Sequence, residues 1–125
     1  MRIGIVNDSA IATEALRRVI SSAPDHVVAW AAVDGSEAVR RCAEERPDLV
    51  LMDFSLPGMD GLSATKNLKT DPTTRHLAVV GLSANAMKGD QEIALEAGCD
   101  GYLTKPIDTR TFATTVKKFI AGKFN

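Results

Sequence analysis

Short runs of β-branched and aliphatic residues recur along this chain at similar intervals, each closed by turn residues, and the stretches between them carry apolar residues at helical spacing. The runs are Arg2 to Val6, Val27 to Ala32, Leu49 to Met52, Leu77 to Leu82 and Gly101 to Thr104, which gives five candidate strands. Between them, Ile11, Ala15, Leu16, Val19 and Ile20 form one helical stripe, and Phe112, Val116, Phe119 and Ile120 form another, read as core. Strands that are apolar almost throughout need cover on both faces. Right-handed crossovers supply it by laying a helix over each strand pair, so the alternation predicts an α/β domain with a doubly wound, five-stranded parallel sheet.

Asp34-Gly35, Pro57-Gly58 and Asp60-Gly61 mark turns, Pro24 and Pro47 interrupt helices, and Gly122 follows the last stripe where a helix C-terminus is expected. With 125 residues and 45% hydrophobic content the chain has material for one core, so we read a single domain over residues 1–125. The chain ends soon after its fifth predicted helix, and any output is therefore expected to be made by binding. Fifteen basic and 16 acidic residues leave a formal charge of -1, which favours neither nucleic acid nor an anionic membrane surface as a partner. Cys42 and Cys99 lie far apart in segments expected to pack on the core, which reads as two buried free thiols and a reducing cytoplasmic setting. No apolar run reaches signal-peptide or membrane-spanning length, so no membrane role is expected.

The polar residues that need explaining fall where strands end: Asn7 and Asp8 after the first, Asp53 after the third, Ser83 after the fourth and Lys105 after the fifth. The spacing leaves room for two crossovers between Asp8 and Asp53 and one between each later pair, so all of these residues should meet at one edge of the sheet. Ligands of open α/β sheets bind beyond the carboxyl ends of the strands, where strand order reverses. The order 2-1-3-4-5, borrowed from known sheets of this class and not read off the residues, makes the first and third strands neighbours. The carboxylates of Asp8 and Asp53 would then sit close together and repel. A hard divalent cation relieves that repulsion, and Mg²⁺ suits a site offering one or two carboxylates, a backbone carbonyl and several retained waters. With the cation bound, Asp53 is a candidate nucleophile toward a phosphoryl group, the Lys105 ammonium a neutralising charge and the Ser83 hydroxyl a donor to a third oxygen. Pro106 keeps Lys105 out of helical conformation and allows a cis peptide.

Asn7-Asp8, Leu51-Met52-Asp53, Pro57-Gly58-Met59-Asp60-Gly61, Leu82-Ser83-Ala84 and Lys105-Pro106 together resemble the ordered motifs of bacterial two-component receiver domains, over nearly the whole chain. Each motif is weak alone; five in order at strand ends are a strong joint signal. The resemblance implies a flavodoxin-like receiver fold and a phosphorelay role. Asp53 matches the phosphoacceptor, Asp8 a metal-binding acid, Ser55 the residue whose backbone carbonyl completes the Mg²⁺ shell, Ser83 the switch hydroxyl and Lys105 the phosphate-binding lysine. Tyr102 matches an aromatic that swings inward on phosphorylation and changes a protein-binding surface. The implied donor is a phosphohistidine on a histidine kinase or histidine phosphotransfer protein, and the implied output is a downstream protein target. The chain would be a signalling phosphoacceptor that assists its own phosphorylation and dephosphorylation rather than an enzyme, with Ser55 and Asn85 flanking the hydrolytic water. One departure matters: the family's first acid is Asn7 here, which brings no charge but can orient a metal-bound water. In lineage, Met1 to Asp8 and Asp34 to Asp53 are similar to receivers of chemotaxis methylesterases, and Leu82 to Ile107 to receivers of hybrid kinases and cell-cycle regulators.

Taken singly, these residues have ordinary explanations. Asp8 and Asp53 could begin loops, Ser83 could cap a helix, and Lys105 could be a solvated charge. Trp30 reads as a partly buried ring with its N–H satisfied, and His26 and His76 as surface residues. Met87-Lys88-Gly89-Asp90 fits a partner surface and an exposed first helical turn equally well. Two competing functions remain to be separated. A nucleotide or flavin binder needs a glycine-rich phosphate loop after the first strand, which Asn7-Asp8-Ser9-Ala10 lacks. A receiver-like protein interaction module that accepts no phosphate would share every other feature.

Overall fold

The structure is a computed structural model and describes residues 1–22, 26–53, 61–83, 92 and 95–104, with Ser83 and Thr104 entering through their backbones alone. Its elements run β1 (Arg2–Val6), α1 (Ala10–Ser21), β2 (Val27–Ala32), α2 (Gly35–Glu44), β3 (Leu49–Asp53), α3 (Gly61–Thr70), β4 (Ala78–Ser83) and β5 (Gly101–Thr104). All strand pairs are parallel and the order is β2-β1-β3-β4-β5, the expected doubly wound sheet. The helix expected over Phe112, Val116, Phe119 and Ile120 with its end at Gly122, the segment Met87 to Asp90, the helix interruption at Pro24 and the turn at Pro57-Gly58 lie outside the described residues. None of the described helices is long and apolar enough to cross a membrane.

Side chains of a strand alternate between faces, and here each face has its own core. Ile3, Ile5, Leu49, Leu51, Ala78, Val80 and Leu82 pack on one side with Leu16 and Ile20 of α1. Val6, Val50, Met52 and Val79 pack on the other with Ala38 and Cys42 of α2 and Ala64 and Leu68 of α3. Every residue of β3 is buried, as expected of a central strand covered twice. The apolar stripe of α1 divides, however. Leu16 and Ile20 are buried and Val19 is half-buried, whereas Ala15 is exposed and Ile11 is 85% exposed. A helix lying flat on a sheet buries an arc narrower than its full apolar stripe.

Local signals set the helix starts. The Ala12 N–H donates to the hydroxyl of Ser9, which caps α1 (3.2 Å). At α2 the Glu37 N–H donates to the Asp34 carboxylate (2.8 Å), and the Glu37 carboxylate accepts from the Val33 N–H (2.8 Å), a reciprocal cap that satisfies two free donors. Where β1 meets β2 the register slips, so that Ile3 faces Val28 but Gly4 faces Trp30. The slip lays the indole on Gly4, where a Cβ would come within 2.6 Å of the ring. Trp30 is buried, more than the partly buried ring expected, and its indole N–H is satisfied as expected, donating to the Glu45 carbonyl (2.8 Å).

The amino ends of the strands are held by polar staples. The Lys69 ammonium reaches the Asp100 carboxylate (2.6 Å) and the Leu77 carbonyl (2.7 Å), and the same carboxylate accepts the Val79 N–H (2.8 Å). Gly98, at φ +105°, brings the chain so close to Lys69 that a Cβ would lie 2.9 Å from its stem. Arg2 and Asp48 exchange two hydrogen bonds, and the Thr74 hydroxyl donates to the Leu68 carbonyl. His26 is a correction to the sequence reading, because it is buried at 3% exposure and only His76 lies at the surface. Cys42 and Cys99 are free and buried, as expected, and burial pushes their thiols up to about 12 and about 11.

Candidate functional site

The strand order fixes where a ligand belongs. From β1 the chain moves outward to β2 and then crosses back to β3, so the reversal falls between β1 and β3, and the crevice lies beyond their carboxyl ends. Three residues singled out from the sequence stand there. Val6 is level with Met52, which places Asn7 and Asp53 level one step further on. The Asn7 N–H donates to the Ala32 carbonyl (3.0 Å), so β1 stays tied to β2 to this point.

Asp53 is the last residue of β3, one position inside the strand compared with the sequence reading, and is 6% exposed. A carboxylate so placed is held by the rigid central strand rather than by a loop. Asp8, next along the chain from Asn7, is exposed. Ser83 likewise ends β4 instead of following it, and its backbone pairs with Thr104 of β5. Lys105, Ser55 and Asn85 lie outside the described residues, as does the proline after Lys105. Tyr102 sits within β5, half-buried against the core shared with α2 and α3.

Asn7 holds a feature the sequence reading missed. Its side-chain oxygen accepts the Ser9 N–H at 2.8 Å, a turn in which an asparagine side chain stands in for a backbone carbonyl. The residue is 2% exposed, and its Nδ2 has no hydrogen-bond partner among the described residues. An Asn two positions before the N-cap of a helix was the available signal for the turn; nothing local signalled the unpaired nitrogen.

Asp8 and Asp53 are carboxylates at neighbouring strand ends, oxygen donors of the kind a hard divalent cation takes, and the Asn7 amide oxygen retains a second lone pair beside the one that accepts the Ser9 N–H. Among the described residues no three His, Cys, Asp or Glu side chains gather into a metal cluster.

Residues 3–117 match the family model of the response regulator receiver domain. Among curated proteins the chain is 45% identical, over 87 residues, to the polar-differentiation response regulator DivK of Brucella anthropi, an alignment covering 70% of this chain and 71% of that one. Among solved structures it is similar to the receiver domain of a sensor histidine kinase from Pseudomonas aeruginosa PAO1, which holds a magnesium ion in its active-site cleft; the TM-score is 0.85 at 32% identity, covering 96% of this chain and 97% of that one. It is also similar to the response regulator domain of CheB from Thermotoga maritima, with a TM-score of 0.83 at 27% identity and coverage of 100% and 97%. Sheet order, site position and these matches agree, and the chain belongs to the response regulator receiver domain family of two-component signalling.

Proposed function

We propose that this domain works in a phosphorelay, taking a phosphoryl group onto Asp53 from a phosphohistidine of a histidine kinase or histidine phosphotransfer protein, and that the modified domain binds a downstream protein target. The observation that carries this reading is a buried carboxylate ending the central strand, at the topological switch point, in a chain of the receiver family. An oxygen of Asp53 attacks phosphorus, the O–P bond forms, and the P–N bond breaks with its electron pair leaving on the imidazole nitrogen, which takes a proton. Covalent work by the protein is small in such a transfer; alignment and charge neutralisation dominate.

Asp8, Asp53 and the Ser55 carbonyl would hold Mg²⁺, with Asn7 orienting a bound water, and the ion when bound neutralises charge on the transferring oxygens. Lys105 adds an ammonium to the same end, and the Ser83 hydroxyl donates to a phosphoryl oxygen. Drawing Ser83 toward that group frees space into which Tyr102 turns, which alters the surface around β5. Water in line with phosphorus later hydrolyses the acyl phosphate, at a rate that side chains at Ser55 and Asn85 adjust.

The test is intact mass after incubation with a small acyl phosphate and Mg²⁺, with Asp53→Asn as control. One phosphoryl adduct on the unaltered chain and none on the variant is expected. No adduct on a folded sample would instead assign the domain to the second reading, a protein interaction module that accepts no phosphate, which the uncharged Asn7 favours.

A further inference from the structure

Asn7 offers more than an oxygen for water. The Ser9 N–H fixes which end of the amide is which, because turning it over would set two donors face to face. The nitrogen end is therefore a donor, buried and without an acceptor among the described residues. Sealing such a group away forfeits its hydrogen bonds to water, and a native fold that carries one commonly does so where something else completes it.

What completes it follows from position and charge. Asn7 and Asp53 are level across β1 and β3, and both continue the strand parity that faces α1, set by Ile3 and Ile5 in one strand and Leu49 and Leu51 in the other. Adjacent strands lie about 4.8 Å apart, so the amide is within side-chain reach of anything attached to Asp53. A metal ion would repel this N–H, whereas an anionic oxygen would accept from it. At this rim, the oxygens that arrive with a ligand are those of a tetrahedral oxyanion on Asp53.

We infer that the Asn7 Nδ2–H donates directly to an oxygen of the phosphoryl group carried by Asp53, which makes Asn7 a phosphoryl-binding residue rather than only a support for the metal's water. The inference rests on the function proposed above. It gives the amide a use that an acid in its place could not serve, since a carboxylate there would turn a donor into a like charge beside the incoming dianion.

The experiment uses the full chain labelled with ¹⁵N in its asparagines, with Mg²⁺ and beryllium trifluoride as the phosphoryl stand-in. Expected are a downfield shift of the Asn7 side-chain amide protons, slowed exchange with solvent, and scalar coupling from one of them to ¹⁹F. In parallel, Asn7→Asp should bind the stand-in about tenfold more weakly at saturating Mg²⁺ while binding Mg²⁺ alone more tightly, as loss of one charge-assisted hydrogen bond and gain of one carboxylate require. The coupling is read on the unaltered protein, so it does not depend on the variant folding. If the stand-in binds in an Asp53-dependent way while the Asn7 amide shows neither shift nor coupling, the inference falls and the phosphoacceptor stands. If a folded sample binds no stand-in and forms no acyl phosphate adduct, both fall.

Discussion

The two rims of this sheet are built on opposite principles. At the amino ends of the strands, polar groups largely satisfy one another: Lys69 with Asp100 and the Leu77 carbonyl, Arg2 with Asp48, Thr74 with the Leu68 carbonyl. At the carboxyl ends, Asp53 is buried and the Asn7 nitrogen has no acceptor among the described residues. At the amino rim His26, buried with both ring nitrogens unpartnered among the described residues, and the equally unpartnered Nε of Arg41 in the last turn of α2 are exceptions. The contrast accords with the proposed function, in which the carboxyl rim takes a ligand, since a fold tolerates incomplete hydrogen bonding where function requires it.

The largest effect that would break this comparison lies at the carboxyl rim. Asp53→Asn should abolish the phosphoryl adduct in intact mass while leaving the fold intact by thermal melting, because the isostere keeps the side chain's shape and removes only its nucleophilic oxygen and charge. A variant that lost the adduct only because it unfolded would show the residue to be structural.

At the amino rim the expectation reverses. Lys69→Met removes an ion pair and a donor to a backbone carbonyl, and leaves the Asp100 carboxylate without its cation; it should cost roughly 2–4 kcal/mol by urea denaturation, with phosphorylation intact once folded. Gly4→Ala drives a Cβ into the Trp30 ring and should cost about 1–3 kcal/mol, read by denaturation followed through the single tryptophan. A cost near zero for both would remove the distinction between the rims.

The buried thiols give a smaller, graded effect. With folded values pushed up to about 12 and about 11 by burial, from an ordinary 9.0, the stability gained by keeping Cys42 and Cys99 as thiols is complete below pH 9 and is lost as pH rises through the folded values. Maleimide labelling at pH 8 should be slow in the native protein and fast in urea. The weakest expected effect is that of Asp71, an exposed acid whose carboxyl is held below its ordinary value first by the Thr73 N–H and then by the Thr73 hydroxyl. Its stabilising contribution is present above the unfolded value of 3.8 and fades as pH falls through the folded one. The stability difference between the unaltered chain and Asp71→Ala should therefore shrink toward zero in acid, measured by thermal melts from pH 7 downward.

Much of this was legible in the residues. Arg2 to Val6, Val27 to Ala32 and Gly101 to Thr104 are strands with the boundaries their apolar runs imply. Asp53 and Ser83 proved to be the last strand residues instead of the first loop residues, because backbone pairing with Leu82 and Thr104 extends the ladder past the last apolar side chain. Hydrophobicity marks where a strand is buried, not where its hydrogen bonds stop.

What the sequence by itself determined is the alternation of strand and helix, the two-sided burial of the sheet and the identity of the acids at its carboxyl rim, since each follows from local periodicity and turn chemistry. Only the tertiary structure decided that α1 buries Leu16 and Ile20 but leaves Ile11 to solvent, that Lys69 meets Asp100 across 31 positions, and that one nitrogen of Asn7 is sealed in beside Asp53 without an acceptor among the described residues. Those outcomes depend on which strands become neighbours and on how far each helix tilts over them, and no window of residues short enough to show a periodicity contains both partners.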